Sequence, residues 1–362
     1  MNTITHKLRK LNARLNPGHI LFPPEWLVLG VNNVCNLHCK MCDVGTKSNT
    51  VFAENLTGTK PLNMPPELFK KIVDQSLKYF PNVKLGYAFT EPLVYPYLDE
   101  TLAYAQKNKL RTAITTNALT LRQKASAISD LGCKELFISL DWPEEIHNFI
   151  RGHPSSFQKA IEGIEEVLKY KQGPEISIFC VITEWNIGHL KRFVDFFRNY
   201  PITHIGLLHN NFTAPHTAME HNAVFGEFYK ATVSNTDESN VANIDLATLW
   251  QEITMIKKEK YPFGVSFSPE LKSLHDLEVF YLKPGKFIGK TCGDVFSNIM
   301  IKSDGSVIPA HGRCYNLNVG NIYEQDLTAI WNSPVFSKFR TDLVAAGGLL
   351  PACSRCCSAF EK

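Results

Sequence analysis

Residues 26–44 read WLVLGVNNVCNLHCKMCDV: an apolar, β-branched run that leads straight into three cysteines, Cys35, Cys39 and Cys42. The run predicts a strand over 26–33, and the cysteines predict a loop at its C-terminal end. The same texture continues downstream. Helices are expected over 65–79 (Leu68, Ile72, Val73 and Leu77 on one face), 98–107, a segment ending near 131, 157–170 and 189–200. Strands are expected at 83–89, 111–116, 135–140, 175–183 and 204–208. Strand–helix alternation of this kind predicts an α/β fold with a parallel sheet and helices packed outside it. Six such units fit either an open doubly wound sheet or a partial (β/α)6 TIM-type barrel. Both place chemistry at the C-terminal ends of the strands, where the cysteine loop lies.

The rest of the composition narrows the function classes. The chain has 362 residues, 44% hydrophobic and 20% charged, with a net charge of +3, too small to argue for a nucleic acid or an acidic membrane as partner. No apolar run reaches the roughly 18 residues of a transmembrane helix, and the first residues lack the apolar core of a secretory signal. In that segment Lys7, Arg9, Lys10 and Arg14 interleave with Leu8, Leu11 and Leu15, predicting a basic amphipathic helix that caps the fold or, alternatively, touches a membrane surface. A cytoplasmic location is expected. Ten cysteines in such a chain point to metal or redox use rather than disulfides. Three fall within 35–42 and five between Cys292 and Cys357; Cys133 and Cys180 stand alone and read as core residues.

Three close thiolates are one short of the four that close a [4Fe–4S] cluster, so one iron would stay open to an outside ligand, as catalytic zinc sites keep a vacant position. Zinc completed by His38 is the alternative. The C-x3-C-x2-C spacing after the first strand resembles the radical S-adenosylmethionine (SAM) superfamily. That resemblance implies SAM on the open iron, reductive cleavage to a 5′-deoxyadenosyl radical, and hydrogen abstraction from a substrate. It also implies SAM contacts. Thr90 and Glu91, in Phe89-Thr90-Glu91-Pro92, stand where the family has Gly-Gly-Glu-Pro; both glycines are replaced here. Asn117 ends the third strand, Ser139 and Asp141 end the fourth, Arg151 follows at a family-like distance, and Met41 stands in place of an aromatic residue beside adenine. A guanidinium suits the SAM carboxylate because it donates two parallel hydrogen bonds.

The segment from Cys292 through Asp304-Gly305, Pro309, Cys314, Gly320-Asn321-Ile322 and Ile330-Trp331-Asn332 to Cys353, Cys356 and Cys357 resembles the SPASM/twitch modules of the same family. Ala310 replaces the usual cysteine after the proline, so the resemblance implies Cys292, Cys314, Cys353 and either Cys356 or Cys357 as ligands, with His311 a weaker candidate. Five cysteines suffice for one auxiliary iron–sulfur cluster. A zinc knuckle is the other reading of this module.

The expected organisation is a basic segment over 1–25, a partial barrel over 26–212, a helical linker over 213–290 and a small cysteine-rich SPASM/twitch-like domain over 291–362. An auxiliary cluster suits chemistry in which a substrate radical loses an electron. The polar stretch His209-Asn210-Asn211-Phe212…His216…Glu220-His221 is expected at the active-site face. It suits a hydroxyl-rich small molecule, a sugar or aminocyclitol, that is oxidised or epimerised; Cys180 is a candidate hydrogen donor if it faces the lumen. Modification of a ribosomally made peptide is the alternative, weakened by the shortness of the segment before the first strand. A non-catalytic metal-binding interaction protein is the alternative of another class. The expected partners are an electron donor such as flavodoxin or ferredoxin and a small-molecule or peptide substrate.

Overall fold

The computed structural model describes residues 3–310, 312 and 314–359. Helix α1 (Thr3–Leu15) precedes strand β1 (Trp26–Leu29), and helix α2 (Val51–Thr57) follows the first cysteine loop. The chain then alternates: α3 (Pro66–Tyr79), β2 (Lys84–Tyr87), α4 (Leu98–Lys107), β3 (Arg111–Thr116), α5 (Leu121–Asp130), β4 (Glu135–Ser139), α6 (Glu144–Arg151), α7 (Ser156–Val167), β5 (Glu175–Ile182), α8 (Leu190–Phe196) and β6 (His204–His209). Next come α9 (Pro215–Phe225), α10 (Leu246–Lys258), β7 (Gly264–Ser268) and α11 (Leu274–Leu282). The C-terminal region adds β8 (Asn298–Ile301), β9 (Ser306–Ile308), β10 (Gly320–Asn321), α12 (Leu327–Trp331) and α13 (Pro334–Ala345).

Among the described residues one sheet holds every strand, in the order β10-β9-β8-β1-β2-β3-β4-β5-β6-β7. Strands β1 to β6 pair in parallel with their sequence neighbours, the arrangement that six alternating units predict. The sheet is longer than that series at both ends. The run at 264–268, expected within a helical linker, pairs in parallel with β6 as a seventh strand. On the other side β8 pairs in parallel with β1, with Trp26 opposite Asn298 and Leu29 opposite Ile301, so the cysteine-rich region continues the barrel sheet. Sequence periodicity carries no information on which distant strands pair.

Inside the curve of the sheet Phe137 and Phe179 meet edge to face at 5.7 Å. Gly206 makes room for them: a Cβ there would lie 2.5 Å from the Phe179 ring. Outside, α5 and α7 pack closely at Gly163, where a Cβ would lie 2.6 Å from Leu121. Three helices escape periodicity. Helix α2 has only seven residues, its first turn capped by Thr50, whose hydroxyl accepts from Ala53 N–H. Helix α6 has eight. Helix α13 has clear start signals, a Ser333 cap followed by Pro334 at the first helical position. On α1 the leucines Leu8, Leu11 and Leu15 are exposed, while Arg9 pairs with Glu25 at 3.5 Å. Among the described residues no helix is long and apolar enough to cross a membrane.

Two buried arginines hold the C-terminal region. Arg340 donates to the carbonyls of Val295 (2.8 Å) and Trp331 (2.6 Å). Arg355 is 1% exposed and donates to the carbonyls of Val279, Phe280, Lys283, Lys286 and Ser354, binding the end of α11 to the segment between Cys353 and Cys356. Burial lowers its guanidinium to about 10. Replacing Arg355 with methionine strands these buried carbonyls, so Arg355→Met is expected to destabilise the fold by about 3 kcal/mol. Thermal unfolding compared with the exposed Arg122→Met, expected to change stability by less than about 0.5 kcal/mol, reads the difference.

Candidate active site

The first cysteine loop is built by contacts from three directions. From α6, the carbonyls of Arg151 and Ile150 accept from His38 N–H (3.2 Å) and Lys40 N–H (2.9 Å). Gly152, at φ +65°, ends that helix, and a Cβ on it would lie 2.8 Å from the His38 carbonyl oxygen. Glycine is needed there both for its left-handed backbone and for the close approach of the loop. From the segment after β2, Glu91 N–H donates to the Val34 carbonyl at 3.2 Å. From the connection after α9, Asn235 and Asp43 exchange hydrogen bonds of 3.1 and 2.7 Å.

The loop brings Cys35, Cys39 and Cys42 to the wall of one cavity of about 270 Å³. It opens at the C-terminal ends of the strands. Burial raises all three thiols above their ordinary value, Cys39 to about 12 even against the opposing charge of Arg151. Left alone these thiols stay protonated; as thiolates they need compensating positive charge, which iron supplies. The cavity wall also contains Arg151, whose Nε donates to Asp141 Oδ2 at 2.7 Å and whose Nη1 lies 3.9 Å from Cys39 Sγ. Its Nη2 is buried with no hydrogen-bond partner among the described residues. A soft donor set beside an unsatisfied guanidinium fits a cluster with SAM, whose carboxylate can take that remaining donor.

Of the expected SAM contacts, Met41, Thr90, Asn117, Ser139 and Arg151 line this cavity. Two do not. The carboxylate of Glu91 is fully buried and turned toward β3, accepting from Thr116 Oγ1 (2.6 Å), Asn117 N–H (2.7 Å) and Leu93 N–H (3.0 Å). Burial lifts its carboxyl to about 7 against those three donors. Glu91 therefore braces the ends of β2 and β3. Asp141 sits behind Arg151 as its fully buried counter-charge. Cys180 also has to be corrected: strand alternation gives Val181 to the cavity and turns Cys180 outward, into the core, 3.6 Å from Asp141 Oδ1 and Asn186 Nδ2. It cannot serve as a hydrogen donor in the lumen. His38 is exposed and does not line the cavity.

Of the polar stretch that begins at the end of β6, His209, Asn210 and Asn211 line the cavity, Phe212 is core, and His216 is exposed. Burial, with Lys257 adding to it, holds the His209 imidazole down to about 3, so it is neutral. Its Nδ1 meets Tyr281 Oη at 2.7 Å, and its Nε2 has no partner among the described residues. Sequence reasoning missed Asn235, Phe52 and Phe89. Phe89 did carry a signal, since it replaces an expected glycine. Its φ is +91°, a region that costs a bulky residue roughly 1–3 kcal/mol, and its ring lines the cavity with Phe52.

The second cysteine group forms its own cavity. Cys292, Cys314, Cys353 and Cys356 line it together with Tyr315, Val295 and Phe339. Cys357 is exposed and stands outside. His311 lies outside the described residues. Gly348, at φ +102°, accepts on its carbonyl from Cys292 N–H, and a Cβ there would lie 2.5 Å from the Lys290 carbonyl oxygen. Burial, then Asp294 and the other three thiols, push Cys292 well above its ordinary value, and no described lining side chain is cationic. Four mutually repelling sulfurs gathered in one cavity also fit iron. Helix α2 joins the two sites: Phe52 lines both cavities, and Asn55 Nδ2 donates to the carbonyls of Gly312 (3.0 Å) and Cys314 (2.5 Å).

The Asp141–Arg151 pair makes a prediction about stability. Asp141→Asn leaves the Arg151 charge buried without its partner and is expected to cost about 3–5 kcal/mol. The double variant Asp141→Asn with Arg151→Met removes both charges and is expected to recover most of that loss. Equilibrium denaturation of the two variants separates these outcomes.

Comparison with known proteins agrees with this architecture. Residues 30–197 match the Radical SAM superfamily model, and residues 292–357 match SPASM, an iron–sulfur cluster-binding domain. The chain is similar to a GTP 3′,8-cyclase of Aliarcobacter butzleri, 27% identical over 192 residues, covering 49% of this chain and 56% of the relative. It is also similar to an AdoMet-dependent heme synthase of Oleidesulfovibrio alaskensis, 30% identical over 166 residues (44% and 39%). The chain thus spans about half the length of the curated relatives it matches. Among solved structures, Streptococcus suis SuiB bound to S-adenosylmethionine shares the fold, with a TM-score of 0.64 at 19% identity, covering 96% of this chain and 76% of that one. A [4Fe–4S] cluster and SAM accompany the first domain, and auxiliary iron–sulfur clusters accompany the second. With its cysteine loop after β1 and its second cysteine site on the extension of the same sheet, this chain belongs to the radical SAM superfamily, as an enzyme with a C-terminal SPASM domain.

Proposed function

We propose that this enzyme removes a hydrogen atom from a neutral, hydroxyl-rich small molecule and oxidises it. The observation that carries the reading is the charge of the cavity wall. Beyond the three cysteines, its polar lining is Thr90, Thr115, Thr116, Asn117, Ser139, Asn210, Asn211 and Asn235 with the neutral His209. The one formally charged lining side chain among the described residues is Arg151, already paired with Asp141. Carboxamides and hydroxyls donate and accept without charge, so they match hydroxyls better than phosphates or carboxylates.

In this reading Cys35, Cys39 and Cys42 hold the [4Fe–4S] cluster, while Arg151, Ser139 and Asn117 orient SAM. When bound, the cluster would supply the electron that cleaves a C–S bond of SAM, giving methionine and a 5′-deoxyadenosyl radical that would take the hydrogen atom from the substrate and leave as 5′-deoxyadenosine. Cys292, Cys314, Cys353 and Cys356 would hold one auxiliary cluster, a place for the electron the substrate gives up. Oxidation is favoured over epimerisation by a thiol donor because the cysteines lining this cavity, among the described residues, are the three of the loop. A nucleoside triphosphate, the substrate class in the names of the cyclase relatives, is disfavoured because it needs several cationic side chains. A peptide is also neutral at its backbone and is the second reading: the carboxamides of Asn210 and Asn211 can pair with its amides. The electron would come from a flavodoxin- or ferredoxin-type donor.

Anaerobic reconstitution should give about eight irons for two [4Fe–4S] clusters, and incubation with SAM and dithionite should release 5′-deoxyadenosine. Cys35→Ala, Cys39→Ala or Cys42→Ala is expected to abolish that release. Neutral polyols and sugars should then accelerate it more than peptides or GTP do. Zinc in place of iron, or acceleration by GTP alone, overturns the proposal; acceleration by peptides alone selects the second reading.

A further inference from the structure

Tyr315 follows Cys314 directly, and its Oη lies 3.4 Å from Cys353 Sγ, within reach of a hydrogen bond to sulfur. The ring is 7% exposed and lines the same cavity as the four cysteines. A neutral phenol facing a thiolate has one role open to it, since the sulfur can only accept.

The ring is not free to turn away. His221 of α9 stacks on it at 5.0 Å and 21°, and Tyr229 and Phe339 pack around it at 6.0 and 6.1 Å. His221 is itself fixed. Its Nε2 donates to the Tyr229 carbonyl at 2.5 Å, and its Nδ1 accepts from the N–H of Ala352, the residue before Cys353, at 3.4 Å. The imidazole is therefore the neutral Nε2–H tautomer, with burial favouring the neutral form. One histidine from the segment after β6 thus holds both ends of the contact, the tyrosine ring and the turn carrying Cys353.

We propose that Tyr315 is a positioning residue for the auxiliary centre, donating a hydrogen bond to the Cys353 sulfur that raises its reduction potential. The inference rests on the reading of Cys292, Cys314, Cys353 and Cys356 as the ligands of an iron–sulfur cluster. Reduction adds negative charge to such a cluster and its sulfurs, so a donor stabilises the reduced state more than the oxidised one. That makes the centre a better acceptor for an electron leaving the substrate.

The test is a redox titration followed by electron paramagnetic resonance. The full chain carries Cys35→Ala, Cys39→Ala and Cys42→Ala, so that only the auxiliary centre contributes. Tyr315→Phe should shift the midpoint to more negative values with iron and sulfide unchanged. Replacing Tyr315 with meta-fluorotyrosine, the same shape with a stronger donor, should shift it the opposite way. Tyr229→Phe, in the same aromatic group but bonded to Asp342, should leave it in place. Coincident midpoints for the phenylalanine, tyrosine and fluorotyrosine forms, at full iron content, overturn the proposal alone. Absence of iron from the Cys→Ala background overturns the cluster reading and the proposal with it.

Discussion

The buried pair of Asp141 and Arg151 is the constraint on which the first site depends. Its Nε–Oδ2 contact of 2.7 Å spans the end of β4 and the end of α6, and the same arginine reaches Cys39. A charge taken out of water is tolerated only with a partner and good geometry. Burial opposes the Arg151 charge, and Asp141 with the Cys39 sulfur more than offsets that opposition, holding the guanidinium above its ordinary value. The backbone of the same helix end accepts from the cysteine loop, and Gly152 lets the loop approach. Position of the sulfurs, orientation of the guanidinium and course of the loop are therefore one problem with one solution.

The second constraint is the shared sheet. Because β8 pairs with β1, the cysteine-rich region is joined to the strand that begins the barrel. Helix α2 adds a short rigid connection, with Phe52 in the wall of both cavities and Asn55 on the carbonyls around Cys314. The segment after β6 makes a third connection, through Asn235 to the first loop and through His221 to the second site. The sheet, helix α2 and the segment after β6 are thus three separate elements that fix the two cysteine sites relative to one another.

Fold and cofactor class were legible because their signals are local. Cysteine spacing within 35–42 and strand–helix alternation from 26 to 209 need no knowledge of distant contacts. The shape of the site was less legible. Glu91 matches the family pattern as a residue, yet its side chain braces β3, because three nearby donors compete for the carboxylate. Phe89 was visible as a replaced glycine, but the strain at its backbone was not. Asn235 carried no signal: its partner Asp43 is 192 residues away in sequence.

What the sequence determined by itself was the inventory: six strand–helix units, three thiols in one loop, a second thiol group at the other end and a polar stretch after β6. These follow from residue type and spacing, which act over a few residues. Tertiary structure alone decided which members of that inventory face each other. It turned Cys180 out of the lumen while Val181 stayed in, brought Cys356 into the second cavity and left Cys357 outside it, drew 264–268 and 298–301 into the barrel sheet, and set Tyr315 against Cys353. Each of these depends on strand phase or on long-range register, and a side chain's direction there is set by a partner far along the chain.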